Sequence, residues 1–127
     1  MKILITGADG FIGQNLKHFL SRKDNIEVLS ITRHTVNDDF ASLIVQADWI
    51  IHLAGVNRPK DDKEFVERNV DLTQQIADLL IEHGKKTPII FASSIQADRE
   101  NAYGLSKKGA EDVLKGLASK QGNPVFL

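Results

Sequence analysis

Five short runs rich in apolar and β-branched residues alternate with four stretches whose apolar residues recur every three or four positions. The runs are Met1 to Ile5, Ile26 to Thr32, Trp49 to Leu53, Pro88 to Ser93 and Asn123 to Leu127. Short apolar runs of this kind predict strands buried on both faces, and the periodic stretches predict amphipathic helices. The first helix, FIGQNLKHFL, places Phe11, Ile12, Leu16, Phe19 and Leu20 on one face, the expected buried side. After a polar turn from Ser21 to Asn25, a short helix is predicted from Asp38 to Val45, capped by Asn37 or Asp38, with Phe40, Leu43 and Ile44 inward. A long helix follows from about Lys63 to His83. Its stripe is Phe65, Val66, Val70, Ile76, Ala77, Leu79 and Leu80; His83 sits in the last turn and Gly84 stops it. The last helix spans Asn101 to Lys120, with Ala110, Val113, Leu114 and Leu117 inward and Gly122 at its end.

This βαβαβαβαβ alternation predicts an α/β domain over residues 1–127, a parallel sheet with helices on both faces. Residues 33–48 are too few to insert a further strand and its crossover between the second and third strands, so the sheet is expected to be lean on that edge. In such sheets ligands bind beyond the carboxyl ends of the strands.

At that end of the first strand the sequence reads TGADGFIG. A strand running into glycines at 7, 10 and 13 and then into a helix presents backbone N–H groups and a helix N-terminus to a dinucleotide pyrophosphate. Thr6, Gly7, Gly10, Phe11, Ile12 and Gly13 frame this anion site. Gly7 serves the sharp exit, Gly10 removes a Cβ from the phosphates, and Gly13 lets the helix lie close on the sheet. After the second strand, where a carboxylate would hold a ribose 2′-hydroxyl, stand Arg33 and His34. They suit a 2′-phosphate, which favours NADP(H) over NAD(H), although Arg33 also reads as a solvated charge after a strand. The third strand ends in His52, Leu53, Ala54 and Gly55, and the fourth in Ser93 to Gln96, all on the same edge.

With 16 basic and 17 acidic residues the net charge is −1, which offers no electrostatic footprint for nucleic acid or for an anionic membrane. No stretch approaches the roughly 20 apolar residues of a membrane span, and Met1 leads directly into a core strand, so a cytoplasmic protein is expected. There is no cysteine, and histidines 18, 34, 52 and 83 lack ligand spacing, so no metal is expected.

Tyr103 and Lys107 form YxxxK, an i, i+4 pair that stacks a phenol and an ammonium on one helical face. A free phenol ionises near pH 10; a lysine about 4 Å away at an effective dielectric of about 20 favours the phenolate by up to roughly 4 kcal/mol. Tyr103 then becomes a usable proton donor and acceptor, and Ser94 is placed to hold the same substrate oxygen. Taken alone the pair also reads as an exposed helical pair. Its position after TGxxGxxG, HLAG and a strand-end serine gives it weight.

Together, TGADGFIG, HLAG at 52–55, NV at 69–70, SSI at 93–95 and YGLSK at 103–107 resemble the extended short-chain dehydrogenase/reductases across nearly the whole chain. The resemblance implies a Rossmann-type sheet, with Tyr103 as catalytic acid/base and Lys107 lowering its pKa while binding the nicotinamide ribose. It implies too that Ser94 orients the substrate and that Asn69 supports the site. A narrower resemblance, carried by HLAGVNRP, DKEF, SSIQA and NAYGLSK, is to the reductase half of bifunctional capsular polysaccharide enzymes that make the UDP-N-acetyl-L-fucosamine precursor. It implies NADPH-dependent reduction of a 4-keto nucleotide sugar, with Asn57 and Arg58 beside the cofactor or sugar or simply in a solvated loop. An NAD-dependent nucleotide-sugar 4-epimerase or dehydratase is the enzymatic alternative, and a non-catalytic NAD(P)-binding fragment the other. Members run to about twice this length, so the chain is expected to be an amino-terminal part, truncated at the fifth strand, without the substrate domain. Relatives that dimerise through helices equivalent to Asp61–His83 and Ala102–Lys120 imply a homodimer.

Overall fold

Isoleucine, leucine and valine fill the strand runs, and in the computed structural model these pair into one parallel sheet of order β2-β1-β3-β4-β5. The structure describes residues 1–8, 10–32, 35–53, 70–91 and 102–127, with backbone alone at 37 and 102–107. The elements are β1 (Lys2–Thr6), α1 (Phe11–Ser21), β2 (Glu27–Ile31), α2 (Asn37–Gln46), β3 (Trp49–His52), α3 (Leu72–Glu82), β4 (Ile89–Phe91), α4 (Ala102–Gln121) and β5 (Val125–Phe126). β2 pairs only with β1 among the described strands, which is the lean edge that the short 33–48 connection predicts.

The connection from β1 to β2 steps one way along the sheet and all later ones step the other way. With right-handed crossovers this sends α1 to one face and α2, α3 and α4 to the opposite face. On the three-helix face Leu4, Ile50 and Ile89 lie side by side in register, fully buried over Ile44, Ile76, Leu80 and Leu114. On the other face Ile3 and Ile5 are buried, while Ile90 and Phe126 are 38% and 51% exposed. Trp49 stacks on Phe126 there, ring centroids 6.0 Å apart. The strand β5 is held from below by buried Asn123, whose Nδ2 donates to the carbonyls of Lys85 (3.0 Å) and Thr87 (3.1 Å).

Several expectations need correction. The five-residue apolar face of α1 is not the buried one: Phe11, Ile12 and Phe19 are 85%, 64% and 59% exposed. Gly13 is the residue pressed against the sheet, with Leu16 and Leu20 half-buried beside it. At 3.6 residues per turn positions 13, 16 and 20 share a face. The glycine's close approach decides which face goes down, and the bulkier side chains rotate outward. In α2 the cap is Val36, in extended backbone and without a side-chain bond, rather than Asn37 or Asp38. Asp38 and Asp39 instead occupy the first turn, where negative charge favours the helix dipole. Ahead of this helix Thr32 N–H donates to Thr35 Oγ1 (3.0 Å) and Thr35 N–H to the Thr32 carbonyl (3.1 Å).

The long third helix is described from a wide π-type turn at Val70–Asp71 onward; residues 63–69, with Phe65 and Val66, lie outside the described residues. Its buried stripe is Thr73, Ile76, Ala77 and Leu80, and His83 is its C-cap residue, with N–H donating to the Leu79 carbonyl (3.1 Å). The described part of β4 ends at Phe91, and residues 92–101 fall outside.

Leu114→Ala is expected to cost about 2–5 kcal/mol of unfolding free energy, as for other fully buried leucines. Phe19→Ser on exposed α1 is expected to stay within about 0.5 kcal/mol. Urea unfolding of the two variants measures the contrast, and equal losses would contradict this assignment of faces.

Candidate functional site

Because the strands are parallel and each helix runs back against them, one edge of the sheet gathers the ends of β1, β3 and β4 and the starts of α1, α3 and α4. The β1 end carries the glycine turn. Gly7 has φ +69°, a left-handed conformation that a side chain resists. Its carbonyl accepts the Gly10 N–H at 3.1 Å, and Gln14 N–H donates to the Gly10 carbonyl at 2.9 Å as the helix begins. The N-cap of α1 is Gly10, which has no side chain to offer the first-turn amides at Phe11, Ile12 and Gly13. A Cβ on Gly13 would lie 2.3 Å from the Gly7 carbonyl oxygen and 2.9 Å from Ala8 Cα, both backbone atoms that cannot yield locally. A Cβ on Gly10 would meet only the Gly7 oxygen, at 3.4 Å. Gly13 is therefore required by the protein's own packing. At Gly10 the described residues leave room for a Cβ.

Behind the turn lies a buried polar chain. Leu53 N–H donates to the Thr6 carbonyl (3.2 Å) and to Thr6 Oγ1 (3.1 Å). Thr6 Oγ1 lies 2.6 Å from His52 Nδ1, and His52 Nε2 lies 2.9 Å from Thr73 Oγ1. The three side chains are at most 1% exposed, and the imidazole leans on the Phe91 ring, centroids 5.4 Å apart. A neutral imidazole donates from one nitrogen and accepts at the other, and two hydroxyls satisfy it in either tautomer. The chain joins the glycine turn of β1 to the end of β3 and the first turn of α3.

At the start of α4, positions 103 and 107 continue the 4,3,4,3 spacing of the fully buried Ala110, Leu114 and Leu117. Positions 103 and 107 lie in the first two turns of α4, the end of the helix nearest the carboxyl ends of the strands. Ser94, Ala54, Gly55, Asn57, Arg58 and Asn69 lie outside the described residues, as do Arg33 and His34. Beside Thr32, the last described residue before Arg33, a groove of about 430 Å³ runs between α1 and β2, lined by Ala8, Gln14, Lys17, His18, Ser30 and Thr32. Lys17 and His18 were not marked by the sequence reading, since basic residues on a helix carry no motif. Thr73 was missed for a similar reason: it is one polar residue in NVDLTQQ, with no periodic signature.

A parallel sheet with this reversal of strand order, and a glycine turn at the end of β1 that leads into a helix N-terminus, defines a dinucleotide-binding α/β domain. The chain belongs to the NAD dependent epimerase/dehydratase family, the extended short-chain dehydrogenase/reductases, which it matches over residues 3–124. It is 42% identical over all 127 residues to UDP-2-acetamido-2,6-beta-L-arabino-hexul-4-ose reductase of Pseudomonas aeruginosa, covering 34% of that protein. UDP-glucose 4-epimerase of Vibrio cholerae is 31% identical over 163 aligned positions that take in 98% of this chain and 49% of the epimerase. Among solved structures, the capsular polysaccharide assembling protein CapF from Staphylococcus aureus superposes with a TM-score of 0.84 at 43% identity, over 99% of this chain and 34% of CapF. UDP-glucuronic acid 4-epimerase from Bacillus cereus, in complex with NAD, shares the fold with a TM-score of 0.86 at 23% identity, over 98% of this chain and 55% of the epimerase. The chain thus spans about a third to a half of the lengths of these relatives. Among the described residues, no helix is long and apolar enough to cross a membrane, and no group of histidines and carboxylates could hold a metal ion.

Gly13→Ala is expected to lower unfolding free energy by about 1–3 kcal/mol through overpacking, while Gly10→Ala leaves it near that of the unsubstituted chain. Thermal denaturation distinguishes the two. Thr6→Val, which leaves a buried imidazole nitrogen short of a partner, is expected to cost about 1–3 kcal/mol by the same measurement.

Proposed function

We propose that this chain is the cofactor-binding domain of an NADPH-dependent reductase acting on the 4-keto group of a UDP-2-acetamido-2,6-dideoxy-hexos-4-ulose, in the synthesis of a surface polysaccharide precursor. The observation that carries the reading is the meeting, at one sheet edge, of the Gly7–Gly13 turn and the first two turns of α4. The turn fits a pyrophosphate: a helix N-terminus with no side chain at its N-cap opens beside a Cβ-free position at Gly10, where a Cβ would meet, among the described residues, only the Gly7 oxygen at 3.4 Å. Thr6, Gly7, Gly10, Phe11, Ile12 and Gly13 would hold the pyrophosphate, and Leu53, Ala54 and Gly55 would line its course along the strand ends. Arg33 and His34 would take a 2′-phosphate, with Lys17 across the groove. The nicotinamide group, when bound, supplies hydride to the sugar carbon. The chain's own residues do the rest: Ser94 orients the carbonyl oxygen, Tyr103 delivers a proton to it from its phenol, and Lys107 favours the phenolate that remains and binds the ribose. Asn69 supports this arrangement.

Alignment supports the choice of reaction. The reductase of P. aeruginosa pairs with this chain over 127 positions, its own length, whereas the epimerase needs 163 and therefore holds additional residues. The NAD-dependent epimerase reading is favoured by the solved neighbours described as complexes with NAD, and cofactor preference separates the two.

Titration of the chain with NADPH and NADH should show tighter NADPH binding. Arg33→Ala should remove about 1.5–3 kcal/mol of it, roughly 10- to 100-fold, leaving NADH unchanged; tighter NADH binding would sink the NADPH assignment in favour of the epimerase class. Tyr103 is the single tyrosine of the sequence, so phenolate absorbance reports it alone. Its midpoint is expected below the ~10 of a free phenol and should return there in Lys107→Met. An unmoved midpoint would remove Lys107 from its role.

A further inference from the structure

Gly109 lies two residues past Lys107 on α4, where that helix crosses the start of α3. A Cβ built on it would stand 2.9 Å from Val70 Cγ2, closer than real Cβ contacts come. Val70 cannot easily swing away. It is β-branched, with few χ1 choices, and it sits in the π-type turn that opens α3, immediately after Asn69. That turn is itself anchored: Thr73, three residues on, reaches His52 Nε2 at 2.9 Å, and His52 reaches Thr6 at 2.6 Å, next to Gly7. Hydrogen bonds therefore link Thr6, beside the glycine turn, through His52 to Thr73 in the helix that Val70 precedes, and Val70 lies against the bare backbone of α4 at Gly109.

We propose that Gly109 is a positioning residue: by lacking a Cβ it seats Val70 against α4 and so sets how deeply the helix bearing Tyr103 and Lys107 lies over the dinucleotide turn. The proposal rests on the Tyr103–Lys107 reading given above. A methyl group at 109 pushes the two helix starts apart. Tyr103 and Lys107 move together, since both ride on α4, so their mutual spacing is kept while their distance from the Gly7 turn grows. The nicotinamide half of the cofactor, which Lys107 would meet, feels that shift; the adenine half, between the glycine turn and the end of β2, does not.

The test is a cycle of Gly109→Ala, Val70→Ala and the double variant in the 127-residue chain. Each is titrated with NADPH and, separately, with adenosine 2′,5′-bisphosphate as a probe of the adenine half. Gly109→Ala is expected to weaken NADPH binding about tenfold or more, as small misplacements of positioned groups do, with the bisphosphate unchanged. Val70→Ala, which reopens the space, should restore the double variant to within about threefold of the unsubstituted chain, the variation left to non-additive neighbours. Melting temperature adds a second reading. Alanine is the better helix former, so Gly109→Ala alone should melt higher if no contact exists and lower if it does. NADPH binding unaffected by Gly109→Ala, equal weakening of both ligands, or no rescue in the double variant would overturn the proposal. So would failure of the unsubstituted chain to bind NADPH, since no site would then exist for the helix to be placed over. The Tyr103 absorbance titration needs no nucleotide, and it tells failure of the tyrosine–lysine reading apart from failure of this one.

Discussion

An imidazole in the middle of an apolar sheet is costly unless both of its nitrogens find partners. His52 meets this condition with two hydroxyls, one from β1 and one from α3. Satisfying one side chain thus fixes three elements relative to each other at the edge where the glycine turn lies. The apolar contacts around it, Leu4 on Ile50 on Ile89, hold the layers together but allow small slips. Hydrogen bonds at 2.6 and 2.9 Å do not, and this directional brace makes the edge suited to holding a ligand in one pose.

The sheet was legible in the sequence because a parallel strand is buried on both faces and writes itself as a largely apolar run; EVLSI and WIIH lie inside predicted strands, and KILIT overruns its prediction by Thr6 alone. The glycine turn was legible because backbone geometry there leaves residue types little choice: Gly7 with its positive φ and Gly13 against a carbonyl both answer to sterics. The facing of α1 was not legible. Its apolar residues make one broad face, and periodicity cannot say which side of that face goes down when a glycine, the smallest residue, makes the contact. Thr73 was invisible for the opposite reason. Its importance comes from a partner twenty-one residues away on another element, and a lone threonine in a polar stretch announces nothing.

The family assignment and the local geometry support each other without depending on the same residues. Similarity to reductases and epimerases runs across the whole chain, whereas the geometry rests on a few close approaches: a helix on a carbonyl, a ring between hydroxyls, a valine against a glycine. Two of these three are places where a missing Cβ lets backbone and neighbour come nearer than any side chain would allow. Such contacts set the positions of the elements around the glycine turn.

The strand order has a consequence for how the chain is made. β2 pairs with β1, β3 with β1, β4 with β3 and β5 with β4. Every strand therefore finds its partner already synthesised when it emerges, and the sheet can grow outward from β1 without waiting for a distant segment. The glycine turn and α1 join β1 to β2, the first two strands that can pair, so the turn is framed before the later strands extend the sheet beside it.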